Sequence, residues 1–392
     1  MNTTRTNATK QRTRQQIVVL GAGYAGLLAA LRLAPHADVV LVDPSDRFTE
    51  RVRLHELAAG RPDVTHPLQQ LLRGTGVRHL AARATALDPA ARQVTTDDGR
   101  ILPYDRLVYA LGSRTGHLPG SRTGRLPDRP LGPEGGAADE RAYSAESAEA
   151  LRKRLVDGPG SLAVVGGGLT GVEMAAELAE AYPDWSVRLL SAGPLAAGCS
   201  GRGRDHIHTV LAARGVRVEE GRRVADAGEV DADAVVWTAS MVPNTALAAA
   251  AGLALDPEGS GRIAVDASLR SLTHPEVYAA GDAAASHAPA PGPLRMACAT
   301  ALPTGSHAAS SILAEARGRT PKPLSFGFTV QCVSLGRHDG LIQFVRPDDS
   351  PRDRMLTGRT AARAKEQVVR STVRFLRLAA RRPSVVSLIP GL

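Results

Sequence analysis

The chain has 392 residues, enough for two or three domains that each bury a core of their own. Hydrophobic residues make up 43% and aromatic residues only 3%, so stacking surfaces for single-stranded nucleic acid are scarce. The formal net charge of +9 is compatible with an anionic membrane or a nucleic acid, but no nucleic-acid motif is present. We therefore expect an ordinary folded protein without a nucleic-acid partner.

Cysteine usage and the N-terminus both indicate a reducing, cytoplasmic compartment. Cys199, Cys298 and Cys332 are odd in number and far apart, which argues against a disulfide scaffold and against a paired zinc site, so no metal is predicted. Residues 1–14 are polar and basic, as expected of a disordered tail and not of a secretory signal. No stretch approaches the roughly 18 apolar residues of a membrane span. Any membrane contact is therefore expected at the surface, peripherally at the inner face.

The first chemical motif is a glycine-rich turn between two apolar runs. The run at 17–20 is followed by Gly21, Gly23 and Gly26, a helix-forming run, and a second strand that ends on Asp43. This spacing is typical of a β-α-β dinucleotide-binding unit, in which the glycines make the tight turn, admit a pyrophosphate and allow helix–strand packing. The phosphates are expected at the helix N-terminus, beside Tyr24 and Ala25, and Asp43 can accept hydrogen bonds from ribose.

The next segments are less specific. Residues 44–60 have apolar positions at helical spacing beside Arg51, Arg53 and His55. These three residues can have a functional role, or the arginines can simply be solvated and the histidine packed in a helix. Residues 77–87 and 92–96 predict strands of a small sheet, with a hairpin turn at 97–99. Residues 104–112 predict an apolar strand that ends in a turn containing Ala110 and Gly112.

A Gly-, Pro- and Arg-rich linker at 116–145 separates this unit from a second copy of the same motif. A strand at 161–165 runs into Gly166, Gly168 and Gly171, and a helix and the strand 187–190 follow. Two such units in one chain predict two dinucleotide sites. Leu169 and Thr170 stand at the expected phosphate-binding helix end.

After further strands at 216–219 and 234–237 and a turn at 238–244, the chain is expected to return to the first unit. The apolar run that ends in Gly281 and Asp282 places a carboxylate and free backbone N–H groups at a strand end, suited to a ribityl hydroxyl and a phosphate. A helix is predicted at 303–313, with Ala299 just before it as a further cofactor contact.

The last 70 or so residues predict a separate α+β unit, with strands at 326–335 and 341–345 and a long helix at 357–382. That helix carries one apolar stripe, and a basic stripe formed by Arg363, Arg370, Arg374, Arg377 and Arg381. The basic stripe fits an anionic lipid surface, although a solvated basic face over a packed apolar one is the commoner arrangement.

The order of these motifs resembles the two-dinucleotide-domain flavoprotein disulfide reductase superfamily. GAGYAG at 21–26, GGGLTGVE at 166–173 and SLGRHDGLIQF at 334–344 are most similar to its type II NADH dehydrogenase-like and apoptosis-inducing-factor-like branch. The resemblance implies an α/β fold with two Rossmann-like domains of the glutathione reductase type and a small C-terminal α+β unit. It places FAD on residues 15–115 and 261–315, NADPH or NADH on 146–260, and a C-terminal domain at 316–392.

In that family a hydride passes from nicotinamide to the flavin, and the electrons then pass to a quinone or a similar small molecule. Disulfide reductases proper carry a Cys-x4-Cys pair near the flavin, whereas the first 198 residues here contain no cysteine, so direct transfer to the acceptor is expected. Type II dehydrogenases carry an AQxxxQ stretch where this chain reads CATALPTGSH at 298–307. That departure leaves room for an aromatic metabolite as acceptor.

The resemblance implies that Glu173 holds the nicotinamide carboxamide, although a carboxylate there can also merely stabilise a helix N-terminus. His55 and Arg53 are the candidates for proton delivery or anion anchoring, since His can titrate near neutrality. Arg51 is expected beside the flavin.

The nicotinamide cofactor is predicted from a comparison of the two motifs. Ser191 stands where the first unit has Asp43, and Arg202 and Arg204 follow nearby, so a 2′-phosphate meets no repulsion and NADPH is favoured, while NADH is not excluded. A biosynthetic flavoprotein that tailors one metabolite and a non-turnover nucleotide-binding partner protein remain alternative functions. The sequence leaves the acceptor and the oligomeric state open.

Overall fold

The computed structural model describes residues 14–61, 64–116 and 141–383, so the predicted tail up to residue 13 and positions 117–140 of the predicted linker lie outside the described residues. The helices are α1 (Tyr24–Leu33), α2 (Leu54–Ala58), α3 (Leu68–Leu71), α4 (Ala148–Val156), α5 (Leu169–Ala181), α6 (Gly201–Ala213), α7 (Ala246–Ala250), α8 (Cys298–Ala316) and α9 (Gly358–Arg381). Short 3-10 turns occupy Arg51–Arg53, Ala145–Ser147, Ala227–Glu229 and Gly281–Ala283.

The strands number in chain order as follows: β1 (Gln16–Leu20), β2 (Asp38–Val42), β3 (Arg47–Thr49), β4 (Thr65–Pro67), β5 (Arg78–Leu80), β6 (Ala84–Asp88), β7 (Gln93–Thr96), β8 (Ile101–Pro103), β9 (Arg106–Tyr109), β10 (Ser113–Thr115), β11 (Ala142–Ser144), β12 (Ser161–Val165), β13 (Ser186–Ser191), β14 (Arg217–Glu220), β15 (Ala234–Trp237), β16 (Met241–Pro243), β17 (Val277–Ala279), β18 (His287–Ala288), β19 (Gly292–Pro293), β20 (Val330–Ser334), β21 (Gly340–Val345) and β22 (Pro351–Thr357).

The first unit is a parallel sheet with the strand order β17-β9-β1-β2-β5. Helix α1 covers one face, and α8 packs against α1 so closely that a Cβ on Gly305 would lie 2.2 Å from the Ala25 carbonyl oxygen. Strand β17 pairs with β9 although they are far apart in the chain, so the predicted return of the chain to the first unit is observed. The stretch predicted at 77–87 splits, because β5 joins the parallel sheet and β6 joins a separate antiparallel sheet with β7 and β8.

The second unit repeats this plan, with a parallel sheet in the order β11-β15-β12-β13-β14. Its edge strand β11 lies within the predicted linker, so the unit begins at Ala142 and not at 146. Three residues of mixed polarity carry little strand signal of their own, and pairing with β15 forms this strand. Antiparallel pairing of β10 with β16 joins the two connections between the units.

The C-terminal unit is the antiparallel sheet β20-β21-β22 with α9 packed on it. Sequence analysis missed β22, which reads PRDRMLT and is mostly exposed, because an edge strand with charged residues lacks an apolar alternation. Helix α9 also contacts α1, and the buried side chains of α9 are Ala361, Lys365, Val369, Val373, Leu376 and Ala379. The C-terminal unit therefore lies against both earlier units, through α1 and α5.

Candidate active site

At the first glycine turn, two of the three glycines are required by the packing of the protein itself. Gly21 has φ +97°, and a Cβ there would lie 2.4 Å from the Ala110 carbonyl oxygen. A Cβ on Gly26 would lie 1.9 Å from the Gly21 carbonyl oxygen. Neither position can carry a side chain without moving the backbone.

The middle glycine, Gly23, has no such requirement. Its φ is −69°, which any residue adopts, and an added Cβ would meet no atom within 4 Å. Gly23 is the N-cap of α1, so the open space in front of it faces the unpaired N–H groups of a helix N-terminus. This space fits the pyrophosphate that the sequence predicts there.

The second turn has the same arrangement. A Cβ added to Gly166 would lie 2.6 Å from the Thr238 hydroxyl oxygen. A Cβ added to Gly171 would lie 1.8 Å from the Gly166 carbonyl oxygen. At Gly168, the N-cap of α5, it would meet nothing within 4 Å. Leu169 and Thr170 form the first turn of α5, as predicted. At both helix N-termini, therefore, an added Cβ on the capping glycine would meet no protein atom within 4 Å.

Asp43 and Asp282 flank the first opening. The Asp43 carboxylate accepts hydrogen bonds from the backbone N–H of Ala22 at 2.7 Å and of Ser45 at 2.9 Å, so it also holds the glycine turn in place. Asp282 Oδ2 accepts a hydrogen bond from the Ser113 hydroxyl at 2.6 Å, whereas its buried Oδ1 has no partner in the described part of the chain. An unpartnered buried acceptor is costly, and a ligand hydroxyl would satisfy it.

The other predicted contacts of the first site lie around these groups. Tyr24 is buried with its ring edge against Phe48, and Ala299 lies in the first turn of α8. Gly112 has φ +65° and open space in front of it. Of the backbone N–H groups predicted to be free at this strand end, that of Gly281 is engaged, because it donates to the Thr304 hydroxyl at 2.9 Å.

The structure does not join Arg202 and Arg204 to Ser191. Helix α6, which carries both arginines, begins against β21, where the Ser200 hydroxyl donates to Gln343 Oε1 at 2.9 Å. Ser191 lies instead against the glycine turn, and its hydroxyl donates to the Gly193 carbonyl oxygen at 2.6 Å. Neither arginine forms a hydrogen bond with Ser191 in the described structure.

Glu173 lies where α5, β20 and α9 meet. One carboxylate oxygen accepts hydrogen bonds from the backbone N–H of Ser334 at 2.9 Å and from the Lys365 ammonium group. The other oxygen is 3.9 Å from His55 Nδ1. Burial by itself would raise the pKa of Glu173, but Lys365 and His55 act against burial and hold that pKa below its usual value. Glu173 is therefore an ionised, buried carboxylate.

The expectation that His55 titrates near neutrality is wrong. Burial lowers the pKa of His55 to about 4, although Glu173 acts in the opposite direction. The ring is 4% exposed, and its Nε2 has no hydrogen-bond partner among the described residues. At neutral pH His55 is an uncharged side chain in a junction between units.

The sequence predicts that Arg53 anchors an anion, but in the structure its guanidinium group is already paired. Its guanidinium group lies 3.5 Å from Glu50, 3.0 Å from Glu56 and 2.6 Å from Glu366. Three carboxylates already surround one cation, so Arg53 fastens α2 to α9. Arg51, predicted beside the flavin, forms a 2.8 Å ion pair with Glu146 across the first two units.

The same junction contains charged residues that sequence analysis missed. Lys365 is 9% exposed, and it lies in the apolar stripe of α9 between Ala361 and Val369. A lysine within an apolar stripe indicates a buried charge, and this pattern is present in the sequence. Glu177 is 1% exposed, with Arg61 and Arg337 each 3.6 Å from its carboxylate. Burial is the main cause that raises the pKa of Glu177 to about 7.

The three cysteines are all free thiols. Burial raises the pKa of Cys298 to about 12 and that of Cys199 to about 11, and it also raises the pKa of Cys332. The thiolate is the reactive form, so these residues are poor redox nucleophiles. Within the described ranges, no group of three or more His, Cys, Asp and Glu side chains could hold a metal ion.

Comparison with known proteins agrees with this architecture. A family model described as pyridine nucleotide-disulphide oxidoreductase matches residues 15–305. NADH dehydrogenase-like protein Rv1812c of Mycobacterium tuberculosis is 30% identical over 359 residues, covering 82% of this chain and 86% of its own. Demethylphylloquinone reductase NdbB of Synechocystis is 28% identical over 302 residues, covering 69% and 72% of the two chains.

Solved structures share the fold. NDH2 from Plasmodium falciparum, determined in complex with NADH, has a TM-score of 0.74 at 16% identity and covers 94% of this chain and 97% of its own. The sulfide:quinone oxidoreductase of Aquifex aeolicus has a TM-score of 0.73 at 18% identity, with 96% of each chain covered. The predicted fold, the predicted family resemblance and the predicted oxidoreductase class are confirmed. Because the family model matches most of the length of this chain, the chain belongs to the pyridine nucleotide-disulphide oxidoreductase family.

Proposed function

We propose that the protein is an FAD-dependent NAD(P)H oxidoreductase that passes electrons directly to a quinone or quinone-like acceptor, without a redox disulfide. The observation that carries this proposal is the pair of helix-capping glycines, Gly23 and Gly168, at which an added Cβ would meet no protein atom within 4 Å. Two such helix N-termini in two parallel-sheet units suit one flavin dinucleotide and one nicotinamide dinucleotide.

The first unit carries the better fit for FAD. Gly21, Gly23 and Gly26 shape the turn, Asp43 fixes it and can accept from the ribose, and Asp282 Oδ1 offers an acceptor to a ribityl hydroxyl. When bound, FAD supplies the capacity to take a hydride from nicotinamide and to release the electrons to a second molecule. The protein then has to position both molecules and exclude competing reactions.

Glu173 is the best candidate for positioning the nicotinamide. Its α5 follows directly from the second glycine turn, and Lys365 keeps the carboxylate ionised while Ser334 fixes its orientation. An ionised carboxylate accepts hydrogen bonds, as the amide of a carboxamide requires. Of the predicted catalytic residues, His55 and Arg53 act in this proposal by holding Glu173 and α9 in place.

The chemistry of the cysteines supports a mechanism without a disulfide relay. Cys298 lies at the start of α8, near Asp282, but the high pKa of its thiol leaves little thiolate at neutral pH. The acceptor therefore has to approach the flavin itself. Relatives named as a demethylphylloquinone reductase and as an alternative NAD(P)H-ubiquinone oxidoreductase favour a quinone.

Flavin content and turnover test the proposal together. We expect purified protein to contain bound FAD and to oxidise NADH or NADPH with at least one member of a panel of benzoquinones and naphthoquinones. Bound flavin without turnover on any acceptor would contradict this function and favour the non-turnover partner protein. Turnover confined to one aromatic metabolite would favour the biosynthetic alternative.

We also propose a peripheral membrane contact through α9. The basic stripe is exposed throughout, at Arg363, Arg370, Arg374, Arg377 and Arg381. Leu378, 38% exposed, directly follows Arg377 at the edge of this stripe and could enter the headgroup region. No helix in the described ranges is long and apolar enough to cross a membrane. Electrostatic attraction to anionic lipid would therefore supply the binding energy.

A further inference from the structure

Ser191 stands where an acid would normally receive the adenosine ribose, and it is a poor replacement. The side chain is 4% exposed, and its hydroxyl is already donated to the Gly193 carbonyl oxygen. A Cβ on Gly167 would lie 2.0 Å from the Ser191 hydroxyl oxygen, so Ser191 is pressed directly against the second glycine turn. Ser191 marks where the ribose should lie, but it cannot reach out to bind it.

A carboxylate is available on the neighbouring strand. Glu220 ends β14, and its Cα is the register partner of Ser191 in the parallel pair β13–β14. The carboxyl ends of parallel strands meet at the same edge of the sheet, which is the edge where dinucleotides bind. Glu220 thus reaches this edge one strand away from the missing acid.

Contacts of Glu220 aim it at the glycine turn. Its Oε1 accepts a hydrogen bond from the Leu195 N–H at 2.6 Å and lies 3.3 Å from His208 Nε2. The adjacent Ala196 N–H in turn donates to the Gly167 carbonyl oxygen at 2.7 Å. The Glu220 side chain is 38% exposed, and its Oε2 accepts no hydrogen bond from the described residues. One oxygen is therefore anchored and the other is available to a ligand.

The basic residues of this edge are mostly engaged elsewhere. Arg222 follows Glu220 in the turn, but its guanidinium group is 2.5 Å from Glu219. Glu219 points to the opposite face of β14 from Glu220, because side chains alternate along a strand. Arg188 and Arg217 also lie within 4 Å of Glu219. Arg223 is exposed and is one candidate for a 2′-phosphate contact.

We propose that Glu220 replaces the missing acid of the second unit: it accepts a hydroxyl of the adenosine ribose and disfavours a 2′-phosphate, so that NADH is preferred to NADPH. This inference rests on the proposed function and reverses the preference expected from Arg202 and Arg204. A charged hydrogen bond to a ribose hydroxyl corresponds to about tenfold in affinity. Repulsion of a 2′-phosphate acts in the same direction.

The test compares NADH with NADPH in the flavin-loaded protein with one fixed quinone. We expect the wild-type kcat/KM to be about tenfold or more higher for NADH, and Glu220→Gln to lower this ratio about tenfold, mainly through KM. Glu149→Gln is the control, since it removes one exposed negative charge from α4, which packs on β11 at the opposite edge of the same sheet, and should leave the ratio within about twofold. An unchanged ratio in Glu220→Gln, a wild-type preference for NADPH, or an equal change in both variants would overturn the proposal.

A binding measurement separates this inference from the proposed function. Calorimetry with 5′-AMP and with 2′,5′-ADP requires no turnover, and 5′-AMP should bind more tightly to wild-type protein than to Glu220→Gln. If this pattern holds without NADH oxidation, the proposed function fails and the role of Glu220 stands. If 2′,5′-ADP binds more tightly to the wild type and Arg223→Ala abolishes that preference, Arg223 and not Glu220 sets the specificity.

Discussion

The buried pair of Glu173 and Lys365 gives the sharpest test of how the three units are held together. Lys365→Met removes the ammonium charge and keeps most of the apolar length of the side chain. At neutral pH the Glu173 carboxylate, 13% exposed, then keeps the Ser334 N–H and an uncharged His55 but no adjacent ammonium group. Removing one partner of a buried ion pair costs about 3–5 kcal/mol.

We expect the lower end of that range, about 3 kcal/mol, because both side chains retain some exposure, 11% for Lys365 and 13% for Glu173. For a chain of this size such a loss lowers the melting temperature by about 4 °C if the units melt together. Arg363→Met is the matched control, since it removes an exposed cation from the same helix. Its cost should stay within about 0.5 kcal/mol.

The pH dependence of this deficit identifies its cause. In the wild type the pKa of Glu173 is depressed, so its contribution to stability is present above the unfolded pKa and is lost as the pH falls through the folded pKa. Without Lys365, burial raises the pKa of Glu173, and the carboxylate can escape its cost by taking up a proton. The deficit of Lys365→Met should therefore be full at pH 8 and shrink toward pH 5.

The measurement is a series of thermal melts between pH 5 and 8. It compares the wild type, the single variants Lys365→Met and Glu173→Gln, and the double variant Lys365→Met/Glu173→Gln. Because Glu173→Gln removes the unpaired charge, the double variant should recover at least half of the loss at pH 8. A deficit of Lys365→Met that does not vary with pH, or that the second substitution fails to relieve, would refute the argument from an uncompensated carboxylate.

Three further predictions concern the flavin site, the junction and α9. Gly23→Val should fold but lose FAD, because its side chain enters open space, whereas Gly26→Val should fail to fold. Absorbance at 450 nm measures the bound flavin and circular dichroism measures folding. A Gly23→Val protein with full flavin would contradict this prediction. Because the pKa of Glu177 is raised to about 7 in the folded protein, burial of this carboxyl group destabilises the protein as the pH rises from about 5 to 8. The melting temperature of Glu177→Gln relative to that of the wild type should therefore increase over this range. A difference that does not change with pH would refute this. Charge reversal of the basic stripe should abolish salt-sensitive sedimentation with anionic liposomes, and absence of such binding in the wild type would dismiss the membrane contact. The residues to be changed to Glu are Arg370, Arg374 and Arg377.

Local sequence determined the two glycine turns and their order. The constraint at Gly26 comes from Gly21 of the same β-α-β unit, so the residue spacing alone predicts it, whereas the close contact of Gly21 is with Ala110, which lies 89 residues further along the chain. The amphipathic pattern of α9 is likewise visible in about 24 residues, and the observed helix Gly358–Arg381 lies within the predicted 357–382. These features follow from the sterics of turns and from helical periodicity, which act over short distances along the chain.

Tertiary structure alone decided the charges of the site. Arg53 and His55 had the composition of functional residues, but Arg53 meets Glu366, 313 residues away, and His55 is buried beside Glu173. Lys365 meets Glu173 across 192 residues, and Glu220 reaches Ser191 only through the pairing of β13 with β14. Whether an ionisable group is free, neutral or paired depends on the burial and the partners that distant segments bring to it, and no local pattern specifies these.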